Sequence, residues 1–484
     1  MPRRQGKRKR RILRAILLPI LALVLFQVVG GYAPFARLPE LSPENTAAIE
    51  ARAEDMQADA DSPDRATILE KRGQALNERL RLIHQARQEI VITTYDTRDS
   101  ESARDILCAA LERADAGVKV RMLIDGMTGL ATVKHSDLFR AFNAHENVEI
   151  RFYNPPSFFL PWRHMGRMHD KYVIVDDIGY ILGGRNMFDH FLGDYVSPSG
   201  TYSNDREALV YNTAHGATAG GESSLHQVRD YFETIWSASE APRSWAIDGA
   251  KRDDVLDSLR ARYTALSESM PELFAPADYE AMTLPTKGVW LVSNPINTDA
   301  KQPVVFATLC ALMERAKADV ILHSPYAVLN GYMRESLAEI ADKVPVTLMI
   351  NAVENGANVV ASGDYLYHRG EVIATGMQVL EYAGGDSYHG KSLAIDDCLS
   401  VIGSFNLDMR STYVDTELML VIRGEEVNAL LRSHMEALHA DSRRVIDEQT
   451  SEVPDGLEIP PLSFGRKLMM RVIGGVMQLF RCMV

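Results

Sequence analysis

The constraint that shapes everything else in this chain is a repetition. "MHDKYVIVDD" at 168–177 and "YHGKSLAIDD" at 388–397 both read His-x-Lys-x-x-x-x-Asp, and the offset of 220 residues persists beyond the motif to Asn186 and Asn406. Upstream, "LNERLRLIHQARQEIVITTYD" (76–96) matches "VVFATLCALMERAKADVILHSPY" (304–326) in pattern, each a helix-period segment followed by a short β-branched strand. A second helix and strand follow in each copy, at 103–125 and 333–351. Strands alternating with helices of this length predict parallel βαβ units. Such a chain folds as two duplicated α/β/α units packed as a pseudo-dimer, with a site between them. The expected boundaries are 1–40 for a basic N-terminus and anchor, 41–240 for the first half and 241–287 for a connector. The second half then spans 288–447 and a C-terminal tail 448–484.

The repeated residues suit one kind of chemistry. Residues two apart in a strand share a face, so His169 points with Lys171 and His389 with Lys391. Asp176 and Asp396 close each strand in turn-forming "DDIG" and "DDCL". The return strands lead to Gly183-Gly184 with Asn186, and to Gly403-Ser404 with Asn406. Two imidazoles and two ammonium groups facing one another fit a phosphodiester. The lysines neutralise non-bridging oxygens, one neutral histidine attacks phosphorus, and the other, protonated, donates to the leaving oxygen. A purely structural repeat would hold its apolar positions and let its polar ones drift, whereas here His, Lys, Asp, Gly and Asn recur. An ammonium beside each imidazole disfavours a cation, so no metal is expected.

These motifs resemble those of the phospholipase D superfamily, HxKxxxxD followed by GSxN or GGxN. The resemblance runs from near Leu76 to about Asp447. Within it, "RMHDKYVIVDDIGYILGGRNMFDHF" and "GSFNLDMRSTYVDTELMLVI" look most like bacterial cardiolipin synthases, and the apolar N-terminal segment and "RKLMMRVIGG" resemble their type C branch. The resemblance implies a phosphatidyl transfer through a phosphohistidine on His169, with His389 as acid and then base. It implies that Lys171, Lys391, Asn186, Ser404 and Asn406 hold phosphoryl oxygens. Glu417 would orient a histidine across the interface, with Asp205 as its first-half counterpart and Glu207 close enough to compete. Asp176 and Asp396 would support the motif and carry no proton. It implies no cofactor, and phospholipid substrates: phosphatidylglycerol, with a second phosphatidylglycerol or phosphatidylethanolamine as donor. It names no helper protein. A hydrolytic phospholipase D releasing phosphatidic acid, and an anionic-lipid-binding protein without turnover, stay open beside it.

Charge and hydropathy locate the chain. The first fourteen residues hold eight basic side chains and no acid, so the body is more acidic than the overall net charge of −13. An acidic body disfavours nucleic acid as partner. The run from Ala15 to Gly31 that follows is nearly uncharged and near the lower length limit for spanning a bilayer; it reads as an uncleaved anchor in a bacterial inner membrane, with a cleaved signal peptide as the alternative. The positive-inside rule then sends the body to the periplasmic side. "NPPSFFLPWRHMGR" (154–167) reads as an interfacial loop, or as aromatics packed under a long loop. At the other end, Leu468, Val472, Val476, Leu479 and Met483 recur at helical spacing beside basic residues. That pattern suits an anionic lipid surface or a terminal helix packed on the body. The four cysteines lie far apart and read as buried thiols, with room for one disulfide.

Overall fold

The structure, a computed structural model, describes residues 2–60, 62–216 and 223–484. Its first half is built on an eight-stranded sheet and its second on a nine-stranded sheet. Across the first, the strands run Val148–Tyr153, Lys119–Asp125, Glu89–Thr94, Tyr172–Val175, Gly179–Gly183, Glu207–Asn212, Asp64–Leu69 and Leu284–Pro285. The second repeats the first seven as Gln378–Tyr382, Val346–Asn351, Val320–His323, Ser392–Ile395, Leu399–Gly403, Leu418–Arg423 and Gly288–Ser293. Only the first three strands of each series are parallel; the motif strand joins them antiparallel and turns back as a hairpin. Even the register repeats: Tyr172 pairs with Leu182, and Ser392 with Ile402.

The motif strands are buried on both faces, which explains their continuous apolar runs. One face of each sheet packs on its own helices. The other faces meet in a shared core containing Tyr172, Ile174, Leu182 and Val210 from one half and Leu291, Ala394, Ile402 and Leu420 from the other. Helices Ser224–Trp236 and Glu425–Ala437 also pack into this core, through Phe232 and Leu431 among others.

Three segments pack across the expected boundaries. Helix Pro43–Asp55, placed by sequence with the first half, packs Ile49 and Ala53 into the second half's core. Within the expected connector, helix Ala250–Ser269 and the segment after it bury Leu256, Leu259, Leu273 and Tyr279 on the first half. Its short strand Leu284–Pro285 pairs with the first sheet at Arg65 and Ala66. Pattern shows that these segments have an apolar face; it does not say which half covers it. All four cysteines are free thiols, and Cys398 is only half-buried.

The two motif aspartates are built into turns. Asp176 and Asp396 have φ of 44° and 49°, a left-handed conformation that a short polar side chain tolerates. The Asp176 carboxylate accepts from the amides of Arg87, Gln88 and Glu89, and Asp396 from those of Lys317, Ala318 and Asp319. Each thereby stitches the motif hairpin to the start of the neighbouring strand. Seven residues of extended chain from the histidine put it on the order of 20 Å away. Asp176→Ala should therefore cost roughly 2–4 kcal/mol of stability, by stranding three amides. The check is thermal unfolding of the detergent-solubilised protein. An unchanged melting temperature with lost activity would give Asp176 a chemical role instead.

Candidate active site

The two halves exchange strand segments at the site. Ser387–Tyr388 pairs in parallel with Ser203–Asn204, and Met168 forms the matching bridge to Thr416. The residue before each motif histidine is thus paired with the residue before a carboxylate of the opposite half. His389 N donates to Asn204 O at 2.6 Å and His169 N to Thr416 O at 3.3 Å. This register carries each imidazole to its partner. His169 Nδ1 lies 2.9 Å from Glu417 Oε1, and His389 Nδ1 lies 2.6 Å from Asp205 Oδ2. Both bonds cross the interface.

Asp205 is therefore the counterpart of Glu417. Glu207 is held elsewhere, by Arg79 at 2.5 and 2.7 Å. The carboxylates differ by a methylene, and the loops beside them differ in step. Ser404 Oγ donates to Glu417 Oε2 and Ser411 Oγ to Oε1, both at 2.5 Å. At the matching first-half position stands Gly184, where a Cβ would fall 2.3 Å from Asp205 Oδ1. The shorter acid sits where the serine would be. Ser404, expected among phosphoryl-binding or supporting groups, donates its hydroxyl proton to Glu417.

Lys171 is buried, donates to the His169 carbonyl and lies 5.3 Å from the Tyr95 ring centroid. Lys391 Nζ lies 2.7 Å from His389 Nδ1 and 3.1 Å from Nε2. Tyr95 meets the His169 ring edge-on at 5.0 Å, and Phe191 meets His389 at 5.2 Å. Asn186 accepts from Asp96 N and lines a cavity of about 390 Å³ that also includes Phe191. The Asn406 amide keeps a buried Oδ1 with no protein partner among the described residues. Asp176 and Asp396 stand apart from this cluster, in the turns described above.

Burial and mutual repulsion leave the site short of negative charge. Burial, with Lys391 next to it, lowers His389 to about 3, and burial with both lysines holds His169 well below its usual value. Burial also lowers Lys171 to about 8 and Lys391 to about 7, against the pull of nearby carboxylates. Glu417 is pushed up to about 8 by burial, with Lys171 and its two serines opposing. Burial works the same way on Asp205, but Lys391 and His389 outweigh it and keep that carboxylate below its ordinary range. An anion bound among these groups would raise both imidazoles and both ammoniums. Among the described residues, no group of three His, Cys, Asp or Glu is arranged for a metal.

Several contributors escaped the sequence reading. Ser411, six residues before Glu417, has no motif. Arg206 is fully buried and bonds Glu70 at 2.6 and 2.8 Å, Ser392 Oγ at 2.7 Å and Tyr388 OH at 3.2 Å, fastening one half to the other beside His389. Asp170 accepts from Tyr231 OH at 2.8 Å and Thr416 Oγ1 at 2.9 Å, and burial raises it to about 7. The one available signal was that Arg206 and Asp170 adjoin residues already singled out.

The family model described as "Cardiolipin synthase, PLD-like domain" matches residues 80–236 and 309–439, covering both motif hairpins. Cardiolipin synthase C of Escherichia coli is 26% identical over 75% of this chain and 82% of its own. Cardiolipin synthase B of Salmonella typhi is 24% identical over 76% of this chain and 78% of its own. The crystal structure of phosphatidylserine synthase from Haemophilus influenzae superposes with a TM-score of 0.62 at 13% identity, covering 90% of this chain and all of that one, which establishes the shared fold. With two doubled-motif hairpins inside the matched segments, the chain belongs to the cardiolipin synthase family of phospholipase D-like proteins and is a phosphatidyltransferase.

Proposed function

We propose that this phosphatidyltransferase makes cardiolipin, using phosphatidylglycerol as acceptor and phosphatidylglycerol or phosphatidylethanolamine as phosphatidyl donor. The observation that carries the reading is the pair of imidazoles, each bonded through Nδ1 to a carboxylate of the opposite half. Such a bond places the Nδ1 proton between imidazole and carboxylate and turns Nε2 to the chemistry, open on His169 and met by Lys391 Nζ at 3.1 Å on His389. His169 Nε2 attacks phosphorus; the bond to the departing headgroup oxygen breaks, and His389 supplies that oxygen's proton. The acceptor's hydroxyl then gives its proton to His389 and attacks phosphorus, and the phosphorus–nitrogen bond breaks.

The two partners differ in a way that suits this division. His389 faces the carboxylate held most firmly ionised, and its side chain is the more open of the two, 21% against 11%. A group that exchanges protons with two successive alcohols needs that access. Lys171, Lys391, Asn186 and Asn406 are the groups assigned to the phosphoryl oxygens, where the ammoniums gain most as charge builds.

The chain has one described helix apolar and long enough to cross a membrane, with the qualifying span Ala15–Phe35. We read this span as an inner-membrane anchor, and the positive-inside rule applied to its basic flank supports a body on the periplasmic side. The test is purified protein in vesicles of phosphatidylglycerol and phosphatidylethanolamine, followed by lipid mass spectrometry. Cardiolipin is expected, with glycerol or ethanolamine released according to the donor. Phosphatidic acid without cardiolipin would replace this reading with a hydrolase.

A further inference from the structure

We infer that helix Phe464–Met477 is a second membrane contact, lying against the anionic lipid surface of the bilayer that takes the N-terminal anchor. The inference rests on the anchored reading above and extends it to a residue-level docking surface. One face of the helix is committed to the body. Gly474 approaches helix Val359–Ile373 so closely that a Cβ on it would fall 2.9 Å from the Gly363 carbonyl carbon. Met470 is buried there, and Arg481 just beyond bonds Asp364 at 2.7 Å.

The opposite face has no cover. Phe464, Leu468, Val472, Val476 and Leu479 form one stripe at helical spacing and are 82, 51, 57, 55 and 72% exposed. A stripe of this length on a helix fixed to the body calls for an apolar cover. Charge points to lipid. The helix carries Arg466, Lys467 and Arg471 and no acid. Lys467 and Arg471 line a cavity of about 450 Å³ with Arg369 and Arg443. The latter two are engaged by Glu381 and Glu354, whereas Lys467 and Arg471 form no ion pair among the described residues. Two free ammonium or guanidinium groups beside an apolar stripe match anionic headgroups above acyl chains.

Position supplies the independent argument. The chain continues from this helix into Gln478–Met483, where Phe480 meets Tyr32 edge-on at 5.3 Å. Tyr32 is the last residue of the anchor helix, so this end of the C-terminal segment lies where the anchor leaves the bilayer. The loop before the first motif meets the same anchor: Gln27 Nε2 donates to Phe158 O at 2.8 Å, and Pro161 packs on Gly30. Its Phe158, Phe159 and Trp162 are exposed as well. The lipid-facing side therefore carries three elements, and the C-terminal helix is one.

The experiment uses the full-length protein in nanodiscs, with a fluorophore on Leu468→Cys, or separately on Val472→Cys, in a Cys398→Ser background. Asp257→Cys serves as a water-exposed reference. Quenching by spin-labelled lipids at least threefold above the reference, in discs containing phosphatidylglycerol, is the expected result. That excess should fall by half or more in Lys467→Glu/Arg471→Glu. Quenching by aqueous iodide, or protection from both quenchers as under a second copy or a protein partner, would overturn the inference. So would lipid quenching indifferent to anionic lipid. No turnover is required, so the outcome stands whatever the reaction proves to be.

Discussion

Alanine in place of His169 is expected to lower phosphatidyl transfer by a factor on the order of 10³ or more, and alanine in place of His389 by a similar factor. Combining them should cost little beyond either alone, because groups that act as a unit do not add. The two losses differ in kind. On the proposed mechanism, losing His169 removes the nucleophile, and no leaving group can help. Without His389 the attack still has its nitrogen, but the departing oxygen must leave as an alkoxide. A phosphatidyl ester of p-nitrophenol, which leaves without a proton, should therefore restore the first step to His389→Ala by a large factor and leave His169→Ala inert. Single-turnover release of nitrophenolate reads this directly. Equal rescue of both variants, or rescue of His169→Ala alone, would defeat the assignment.

The second large effect is expected at the carboxylates. Glu417 takes three donors, from Ser404, Ser411 and His169, so both of its oxygens are acceptors. Glu417→Gln keeps the shape but places an NH₂ among those donors. If it turns toward Nδ1, the imidazole proton moves to Nε2 and the attacking lone pair is lost. An inverted tautomer of this kind costs on the order of 10⁴ in rate in a serine-protease triad, and a loss of about 10²–10⁴ is expected here. Asp205→Asn should show itself in the pH profile. Asp205 raises the His389 pKa while burial and Lys391 lower it. Removing its charge shrinks the protonated fraction, so the alkaline limb of the rate profile moves to lower pH. An Asp205→Asn enzyme slower at every pH with an unmoved limb would reduce Asp205 to a structural part.

These assignments show how far residue pattern reaches. The paired histidines, lysines and asparagines can be picked out along the chain, because ammonium, imidazole and amide groups recurring at one offset have few structural excuses. The same reading left Asp205 and Glu207 in competition. They are two apart in an extended segment and so share a face, and local geometry cannot separate them. Only the bond across the interface to His389, and the Arg79 pair that occupies Glu207, decide it. Ser404 shows a similar limit: its place in the GSxN motif suggests a phosphoryl ligand, and the carboxylate it bonds sits just before the neighbouring strand, Leu418–Arg423.

By itself the sequence determined the duplication, the two motif hairpins, the apolar anchor with its basic flank, and the residue types brought to the site. Those follow from periodicity and spacing, which are local. Tertiary structure decided which carboxylate meets which imidazole, that helix Pro43–Asp55 crosses to the second half, and that the last helix lends one face to the body while leaving the other bare. Hydrophobic burial is non-directional, so an apolar stripe records that something covers it and leaves the partner unnamed. The partner is chosen only when two distant segments arrive at the same place.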